Sequence, residues 1–581
     1  MHLLKDQHVL ILGLGASGLA MARWCYGNGA FVTVADTRAQ PPYLIHLKSE
    51  CPNARFVGAE LTAELLDEHV EHSQPNDPAG ATGVENRASK GPVKAVFKSP
   101  GLSPDQVAPV WNQAKSIGLW VGTELSLFSH ALERLKKDCG YEPTVLGVTG
   151  TNGKTTVTSL THQMLQRGGV RSAIAGNIGP TMLDTLAEKL VEQNAYNQSL
   201  KEKSLERNQD QDQDQDQEID ADAHAEQSIC KLPQAWVLEL SSFQLNDTQD
   251  FDPTSAVVLN ITEDHLDWHG DMQAYAQAKS NIFGKHTARI LCRDSDLALT
   301  LKPVELLEKE RKKAKQQAEQ NDEKWFEPEV ITFGSDLPTV PGDYGLESVN
   351  GMTWLVKAVD PNEDENEPRT RKRKLEALSD ALLIQRLMPS DALRIRGSHN
   401  ALNALAALAL CATTKATKLG HGPMLYALRE YKGEPHRVEP VARINEVEYF
   451  DDSKGTNVGA TLAAINGLGA EYSLLVILGG EGKGQDFNPL SKPLAKYAKL
   501  VVLLGRDAPL IEEVLKDCQV KTVRAESMQE AVGMAHNHAG QGDAVLMSPA
   551  CASFDMFKNY EHRAQVFVEA VKALALEGGT V

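Results

Sequence analysis

The segment Gly150-Thr151-Asn152-Gly153-Lys154-Thr155-Thr156 carries residue types that can hold a polyphosphate. It follows the apolar run Thr144–Val148 and opens a helical stretch, so backbone N–H groups and a helix dipole converge on one point. Lys154 would neutralise β/γ-phosphoryl oxygens, and the Thr155 hydroxyl would ligate Mg²⁺. The loop is shorter than G-x-x-x-x-G-K-[ST], but strand, glycines, lysine and hydroxyl stand in the required order. Glu239 sits at the end of a second apolar run, Trp236–Leu240, where a magnesium-holding acid belongs in such folds. A third run, Ala256–Leu259, leads into Glu263, Asp264, His265 and Asp267. A histidine among carboxylates at a strand end reads as a ligand more readily than as a core residue. Lys279, by spacing alone, is an ordinary helix-surface lysine.

A separate turn, Gly13-Leu14-Gly15-Ala16-Ser17-Gly18, follows the strand His8–Leu12 and is answered by Asp36-Thr37-Arg38 at the end of a second strand. Taken literally this is a dinucleotide fingerprint, with the acid placed for a ribose or base. NAD is an open alternative on these residues.

These groups need elements to position them. Short Val/Ile/Leu-rich runs alternate with helical patterns throughout, including Phe31–Ala35, Ser473–Leu478, Leu500–Leu504 and Ala544–Met547. The pattern predicts an α/β fold of parallel sheets covered on both faces. The 581 residues suggest three or four domains, and 42% apolar residues suffice to give each a core. The formal charge of −19 argues against a nucleic-acid-coating protein. Eight scattered cysteines without a C-x-x-C argue for a reducing compartment and against structural zinc. The chain lacks a signal-peptide pattern and a run of 18 apolar residues, so a cytoplasmic protein without membrane insertion is expected. Residues 201–228 hold ten acids and three bases around a Gln/Asp repeat, which predicts a disordered insertion. The basic runs Lys309–Lys315 and Arg369–Lys374 and the segment Pro75–Gly91 are read as solvated insertions as well.

Taken together, these motifs resemble those of the Mur ligases, ATP-dependent amide-forming enzymes of peptidoglycan precursor assembly. The resemblance runs almost end to end. It includes the first turn with Asp36-Thr37-Arg38, Ser99-Pro-Gly101, the GTNGKTT loop, Gly176-Asn177, VLELSSFQL and NITEDHLD. It continues through Arg396-Gly-Ser-His399-Asn400-Ala-Leu-Asn403, Pro435-His436-Arg437, Asp452-Ser453-Lys454-Gly-Thr456-Asn457, Gly479-Gly-Glu-Gly-Lys483 and Ser548-Pro-Ala-Cys-Ala-Ser553. The first turn, DSKGTN and SPACASFDMFKNY point to the D-glutamate-adding branch.

The resemblance implies three domains. Residues 1–121 form a Rossmann-like UDP-sugar domain, 122–433 a central P-loop-type ATPase domain with polar insertions near 190–230, 303–328 and 357–380, and 434–581 a Rossmann-like amino-acid domain. It implies ATP, UDP-N-acetylmuramoyl-L-alanine and D-glutamate as substrates, two Mg²⁺ ions and a monomer. Lys279 matches a carbamylated lysine that gives magnesium an extra carboxylate. Thr155, Glu239 and His265 match the other metal residues, and Lys154, His265 and Lys279 the catalytic set. Asn400, Asn403, Arg437 and Asp452 join Gly150–Thr156 on the ATP side. Gly15, Ala16, Ser17, Asp36, Thr37, Arg38, Ser99, Gly101 and Asn177 fall to the UDP-sugar. Lys454, Thr456, Lys483, Ser553 and Tyr560 fall to the amino acid. Ser126 stands where the family carries an acid, Glu434 where an apolar residue is usual, and Gly484 where serine is familiar; Tyr560 replaces a common Phe. Folylpolyglutamate synthase shares the central motifs, but it gives no reason for the nucleotide-like first domain. Whether the glutamate is D or L is left open by the residues themselves.

Overall fold

A computed structural model describes residues 4–67, 92–177, 179–211, 230–248, 250–303, 326, 328–361, 382–414 and 420–577. The segment Pro75–Gly91, both basic runs and residues 212–228 of the acidic stretch lie outside the described residues.

The first sheet contains β1 (His8–Leu12), β2 (Phe31–Asp36), β3 (Arg55–Gly58), β4 (Val93–Lys98) and β5 (Trp120–Gly122), in the order β3-β2-β1-β4-β5. All its pairings are parallel. Helices α1 (Ala16–Gly27), α2 (Leu44–Glu50) and α3 (Pro104–Ser116) connect its strands. Its strands are near-continuous apolar runs because both faces are covered. Helix α4 (Glu124–Cys139) then leads into the second sheet.

That sheet holds β6 (Thr144–Thr149), β7 (Ser172–Gly176), β8 (Ala235–Glu239), β9 (Ser255–Val258), β10 (Ala288–Cys292), β11 (Val330–Phe333), β12 (Tyr344–Val349), β13 (Met352–Val359) and β14 (Leu383–Pro389). Its order is β14-β13-β12-β11-β10-β9-β6-β8-β7, and helix α5 (Lys154–Arg167) joins β6 to β7. The third sheet holds β15 (Glu439–Ile444), β16 (Val447–Asp451), β17 (Ser473–Gly479), β18 (Ala498–Leu504), β19 (Lys521–Arg524) and β20 (Asp543–Met547), in the order β15-β16-β20-β17-β18-β19.

Two expectations need correction. The sheets are not wholly parallel: β12-β13-β14 is an antiparallel meander, and β15 pairs antiparallel with β16. The physical reason for the β12-β13 and β15-β16 pairs is their two-residue hairpin turns, Asn350-Gly351 at φ 52° and 79° and Asn445-Glu446 at φ 50° and 63°. Left-handed pairs of this kind match strand twist and close antiparallel partners directly. Nor is the acidic stretch disordered from its start. Helix α6 (Met182–Gln211) runs through residues 201–211. Residues 182–211 contain no glycine or proline and are rich in Leu, Glu, Lys and Gln, so helix propensity favours a continuous helical backbone.

The first two sheets share one continuous core. Phe128 of α4 meets Trp236 of β8 edge-on at 5.1 Å, in a cluster that also holds Val9, Met21, Leu183 and Leu238. The third sheet has cores of its own on its two faces. Among the described residues no helix is long and apolar enough to cross a membrane.

Candidate active site

The phosphate loop lies between β6 and α5, and its conformation depends on glycine. Gly153 caps α5 at φ +86°, and a Cβ there would stand 2.5 Å from Asn403 Oδ1. The chain after β9 clamps the loop. Asn152 N–H donates to Asn260 Oδ1 at 2.9 Å and Asn260 Nδ2 to the Asn152 carbonyl at 3.1 Å. Thr262 N–H donates to Thr151 Oγ1 at 3.0 Å. Lys154 curls back, its Nζ donating to the Gly150 and Thr151 carbonyls at 2.8 Å each.

Lys279 is not on the surface, as spacing alone suggests; it is 1% exposed. The helix Met272–Ser280 turns it under the loop, where Nζ donates to the Gly150 carbonyl at 3.0 Å and lies 4.4 Å from the Tyr275 ring centroid. Burial, and then the Lys154 ammonium, hold Lys279 well below the usual lysine range. Both influences favour the uncharged, nucleophilic amine.

Glu239, 2% exposed, accepts from Asn177 Nδ2 at 2.8 Å through Oε1, while Asn177 N–H donates to the Glu239 carbonyl at 2.8 Å. Its Oε2 is buried without a hydrogen-bond partner. A buried, unpartnered carboxylate oxygen is costly on its own and well suited to a divalent cation. His265 caps a short helical turn at φ 55°, packed edge-on at 4.7 Å against Phe243, with Nε2 3.5 Å from Asp264. Burial holds its pKa below the usual range against the pull of Asp264, leaving a neutral imidazole able to act as a ligand.

The third domain reaches into this region. Arg437 Nη2 donates to Thr155 Oγ1 at 2.7 Å, and Asn457 exchanges amide hydrogen bonds with Asn152 at 3.3 and 3.2 Å. Between the two domains is a cavity of about 250 Å³, lined in part by Asn152, Gly153, Thr156, Asn400, Asn403, Arg437 and Asp452. Asp452 accepts from Ser548 Oγ at 2.6 Å, and burial pushes its carboxyl up to about 7.

Lys454 Nζ stands 3.7 Å from the Tyr560 ring centroid, and burial followed by Arg437 lowers it to about 8. Thr456 N–H donates to the Lys454 carbonyl at 2.9 Å, and Ser553 is buried in the turn whose carbonyl accepts from Phe557 N–H at 2.8 Å. Lys483, at φ 53°, lies close enough to His265 for its charge to disfavour the imidazolium.

Several working residues had no role assigned from the sequence. Arg563, 2% exposed, donates to Ser453 Oγ at 3.1 Å, the Ser453 carbonyl at 2.9 Å and the Cys551 carbonyl at 3.0 Å. Ser453 Oγ in turn donates to the Tyr560 carbonyl at 2.8 Å. One guanidinium therefore ties together the loops bearing Lys454, Ser553 and Tyr560. His436 Nδ1 pairs with the buried Asp451 carboxylate at 2.7 Å. Only the alternation of small and polar residues marks these loops in the sequence, so no signal singled out their anchors. Ser126, which stands where an acid is expected, serves its own helix, since its Oγ accepts from Thr123 N–H at 3.2 Å and caps α4. Glu434 accepts from Tyr431 Oη at 2.7 Å.

In the first domain Gly15 precedes α1, placing Ala16 and Ser17 at the helix N-terminus. Asp36 is saturated. Its Oδ2 accepts from Leu14 N–H at 2.7 Å and Arg38 Nη2 at 2.8 Å, and its Oδ1 from Arg38 N–H at 2.9 Å and Arg38 Nε at 2.8 Å. Burial works to raise its pKa, but Arg38 and Leu14 outweigh it and hold the carboxyl low. The acid shapes the turn and aims Arg38. Thr37 and Arg38 are exposed beside it, while Ser99 N–H donates to the Leu12 carbonyl at 2.8 Å and Gly101 follows in an exposed turn.

A P-loop facing a second domain across a small cavity, with a separate nucleotide-shaped turn, marks a nucleotide-using enzyme of several domains. Family models described as the Mur ligase MurD-like N-terminal domain, the Mur ligase middle domain and the Mur ligase glutamate ligase domain match residues 7–70, 148–337 and 436–551. A protein of Albidiferax ferrireducens named UDP-N-acetylmuramoylalanine--D-glutamate ligase is 51% identical over 100% of this chain and 98% of its own length. Relatives with the same name from Polaromonas sp. and Burkholderia cenocepacia are 46% and 45% identical, covering 100% and 98% of this chain and 99% and 98% of their own. The chain belongs to the Mur ligase family, whose members form amide bonds at the expense of ATP.

Proposed function

We propose that this chain joins D-glutamate to UDP-N-acetylmuramoyl-L-alanine, with ATP converted to ADP and phosphate through an acyl phosphate. The observation that carries this reading is the convergence on one loop of Lys154, Lys279, Thr155 and, from the third domain, Arg437 and Asn457. Full-length similarity to relatives bearing that ligase name supports the choice of substrates.

A carboxylate and an ammonium do not condense in water. The L-alanyl carboxylate attacks the γ-phosphorus, ADP leaves, and the neutral amine of glutamate attacks the acyl carbon and expels phosphate. Each step gathers negative charge, so positioned cations supply most of the rate. Lys154 exchanges its own loop carbonyls for β/γ oxygens. Arg437 gives up the Thr155 hydroxyl and takes an ATP-side contact. Asn400 and Asn403 stand beside the loop at the cavity wall. Gly15–Ser17, Arg38, Thr37, Ser99, Gly101 and Asn177 serve the UDP-sugar, with Asp36 fixing the turn. Lys454, Lys483, Thr456, Ser553 and Tyr560 receive the two carboxylates of glutamate, and the lowered Lys454 is charged once a carboxylate arrives. Thr155, Glu239, His265 and a carbamylated Lys279 would hold two Mg²⁺ ions, which supply Lewis-acid neutralisation of the phosphoryl oxygens. The unpartnered Glu239 Oε2 and the depressed Lys279 amine fit that assignment. The chain acts as a cytoplasmic monomer whose third domain closes over the site, excluding water from the acyl phosphate.

Phosphate release from ATP, measured with UDP-N-acetylmuramoyl-L-alanine and either D-glutamate, L-glutamate or no amino acid, tests the reading. Release is expected only with the UDP-sugar and D-glutamate together; dependence on L-glutamate, or none on the UDP-sugar, refutes it.

A further inference from the structure

Glu124, the first residue of α4, is 2% exposed and sits where three elements meet. Its Oε1 accepts from Leu183 N–H, at the start of α6, at 3.1 Å. Its Oε2 is buried with no hydrogen-bond partner. The Ser17 hydroxyl, from the turn that opens α1, adjoins the same carboxyl. Among the described residues the facing charges are few. Asp184 of α6 repels the carboxylate, and is itself held by Arg23 of α1 at 3.1 Å and Thr181 Oγ1 at 2.8 Å. Arg23 is further engaged by Glu50 of α2. Glu124 therefore has no cation of its own.

A sealed carboxylate with no cation and one bare oxygen is badly solvated, whereas the neutral acid buries no charge and turns that bare oxygen into a donor. We propose that Glu124 is a positioning residue that works as a neutral carboxylic acid, its proton on Oε2, and that its contact with Ser17 fixes the Gly13–Gly18 turn in the shape that receives the uridine diphosphate. The inference rests on the assignment of that turn to the UDP-sugar. Burial, the largest influence, outweighs the Leu183 N–H, the Ser17 hydroxyl and the Met182 N–H, and pushes Glu124 up to about 7. A diphosphate arriving at the N-terminus of α1 adds negative charge beside this group and raises it further. Binding must then take up a proton, and affinity must fall as pH rises through the free-state value. The substrate's own diphosphate is a diester with no group titrating there.

The test is calorimetric titration of the full chain with UDP-N-acetylmuramoyl-L-alanine, in buffers of differing ionisation enthalpy, from about pH 6 to about pH 8.5. The wild-type protein is expected to take up close to one proton near pH 8, with Kd flat below about pH 6.5 and weakening by up to tenfold per unit above about pH 7. Glu124→Gln, which keeps the shape and donates permanently, should bind within about threefold of wild type at pH 6 with no linked proton. Glu124→Leu should weaken binding at every pH while leaving the KM for ATP unchanged. Wild-type binding without proton uptake overturns the inference and leaves the functional reading intact; so does a Gln variant as weak as the Leu variant. No binding of the UDP-sugar to the wild type overturns the functional reading and the inference with it. The wild-type measurement needs no variant, so a poorly folded substitution cannot shield the inference.

Discussion

Replacing Arg563 by methionine isolates the part of the amino-acid pocket that works at a distance. The guanidinium touches no proposed ligand residue side chain except through Ser453, yet it holds both loops that carry them. Methionine fills similar volume without donors. Two carbonyls, of Ser453 and Cys551, lose a buried charge-assisted hydrogen bond; Ser453 Oγ loses one and keeps its bond to Tyr560. Each buried acceptor left bare costs about 1–3 kcal/mol. Relief from burying a guanidinium, whose pKa burial lowers to about 10, offsets part of that. A net loss of about 2–4 kcal/mol in the local stability of the two loops follows. Hydrogen exchange reads this directly, because the Ser453 and Lys454 amides are bonded in this region, to Asp451 Oδ1 at 2.9 Å and the His436 carbonyl at 3.1 Å. Their exchange should accelerate by about 30- to 900-fold, since 1.36 kcal/mol is a factor of ten. The KM for D-glutamate should rise at least about tenfold while the KM for ATP stays within about twofold. Unchanged protection with unchanged glutamate KM would refute the stapling role; equal loss of ATP and glutamate affinity would show collapse of the whole domain instead.

Three further outcomes follow from the site. Lys279→Met should lower turnover by at least about 100-fold, and wild-type turnover should fall in carbon dioxide-free buffer and recover with bicarbonate, followed by phosphate release. Because the folded-state pKa of Lys279 lies well below the unfolded one, that recovery should persist at pH values where an ordinary lysine is protonated. Glu239→Gln should raise the Mg²⁺ concentration for half-maximal activity at least about tenfold, while thermal denaturation without metal shows the variant no less stable, since the buried charge with an unpartnered oxygen is gone. Gly153→Ala forces a left-handed backbone and a 2.5 Å contact with Asn403 on a Cβ. Fluorescent-nucleotide titration should show ATP binding weakened by at least about 30-fold, and wild-type affinity in this variant would exclude the loop from the ATP site.

The strand-building apolar runs, the phosphate loop and the first-domain turn were legible because each is a local pattern: a few residues at fixed spacing set backbone direction and dipole before any distant contact forms. The β12–β13 and β15–β16 hairpins were as local, marked by Asn350-Gly351 and Asn445-Glu446, but the expectation of parallel sheets passed over them. Composition misled at residues 201–211, where low apolarity argued for disorder and uninterrupted helix propensity decided otherwise.

The sequence by itself determined the element types and which short segments could carry phosphate chemistry. Only the tertiary structure decided what those side chains are. Lys279 is a surface lysine by spacing and a buried amine in the fold, because the helix Met272–Ser280 turns it under Gly150. Asp36 is a ribose acid by spacing, and in the fold its carboxylate also braces the turn by accepting from Leu14 and Arg38. Charge state and free lone pairs depend on burial and on which donors fold against a group, near in the chain like Arg38 or distant like Gly150, and spacing alone does not encode burial.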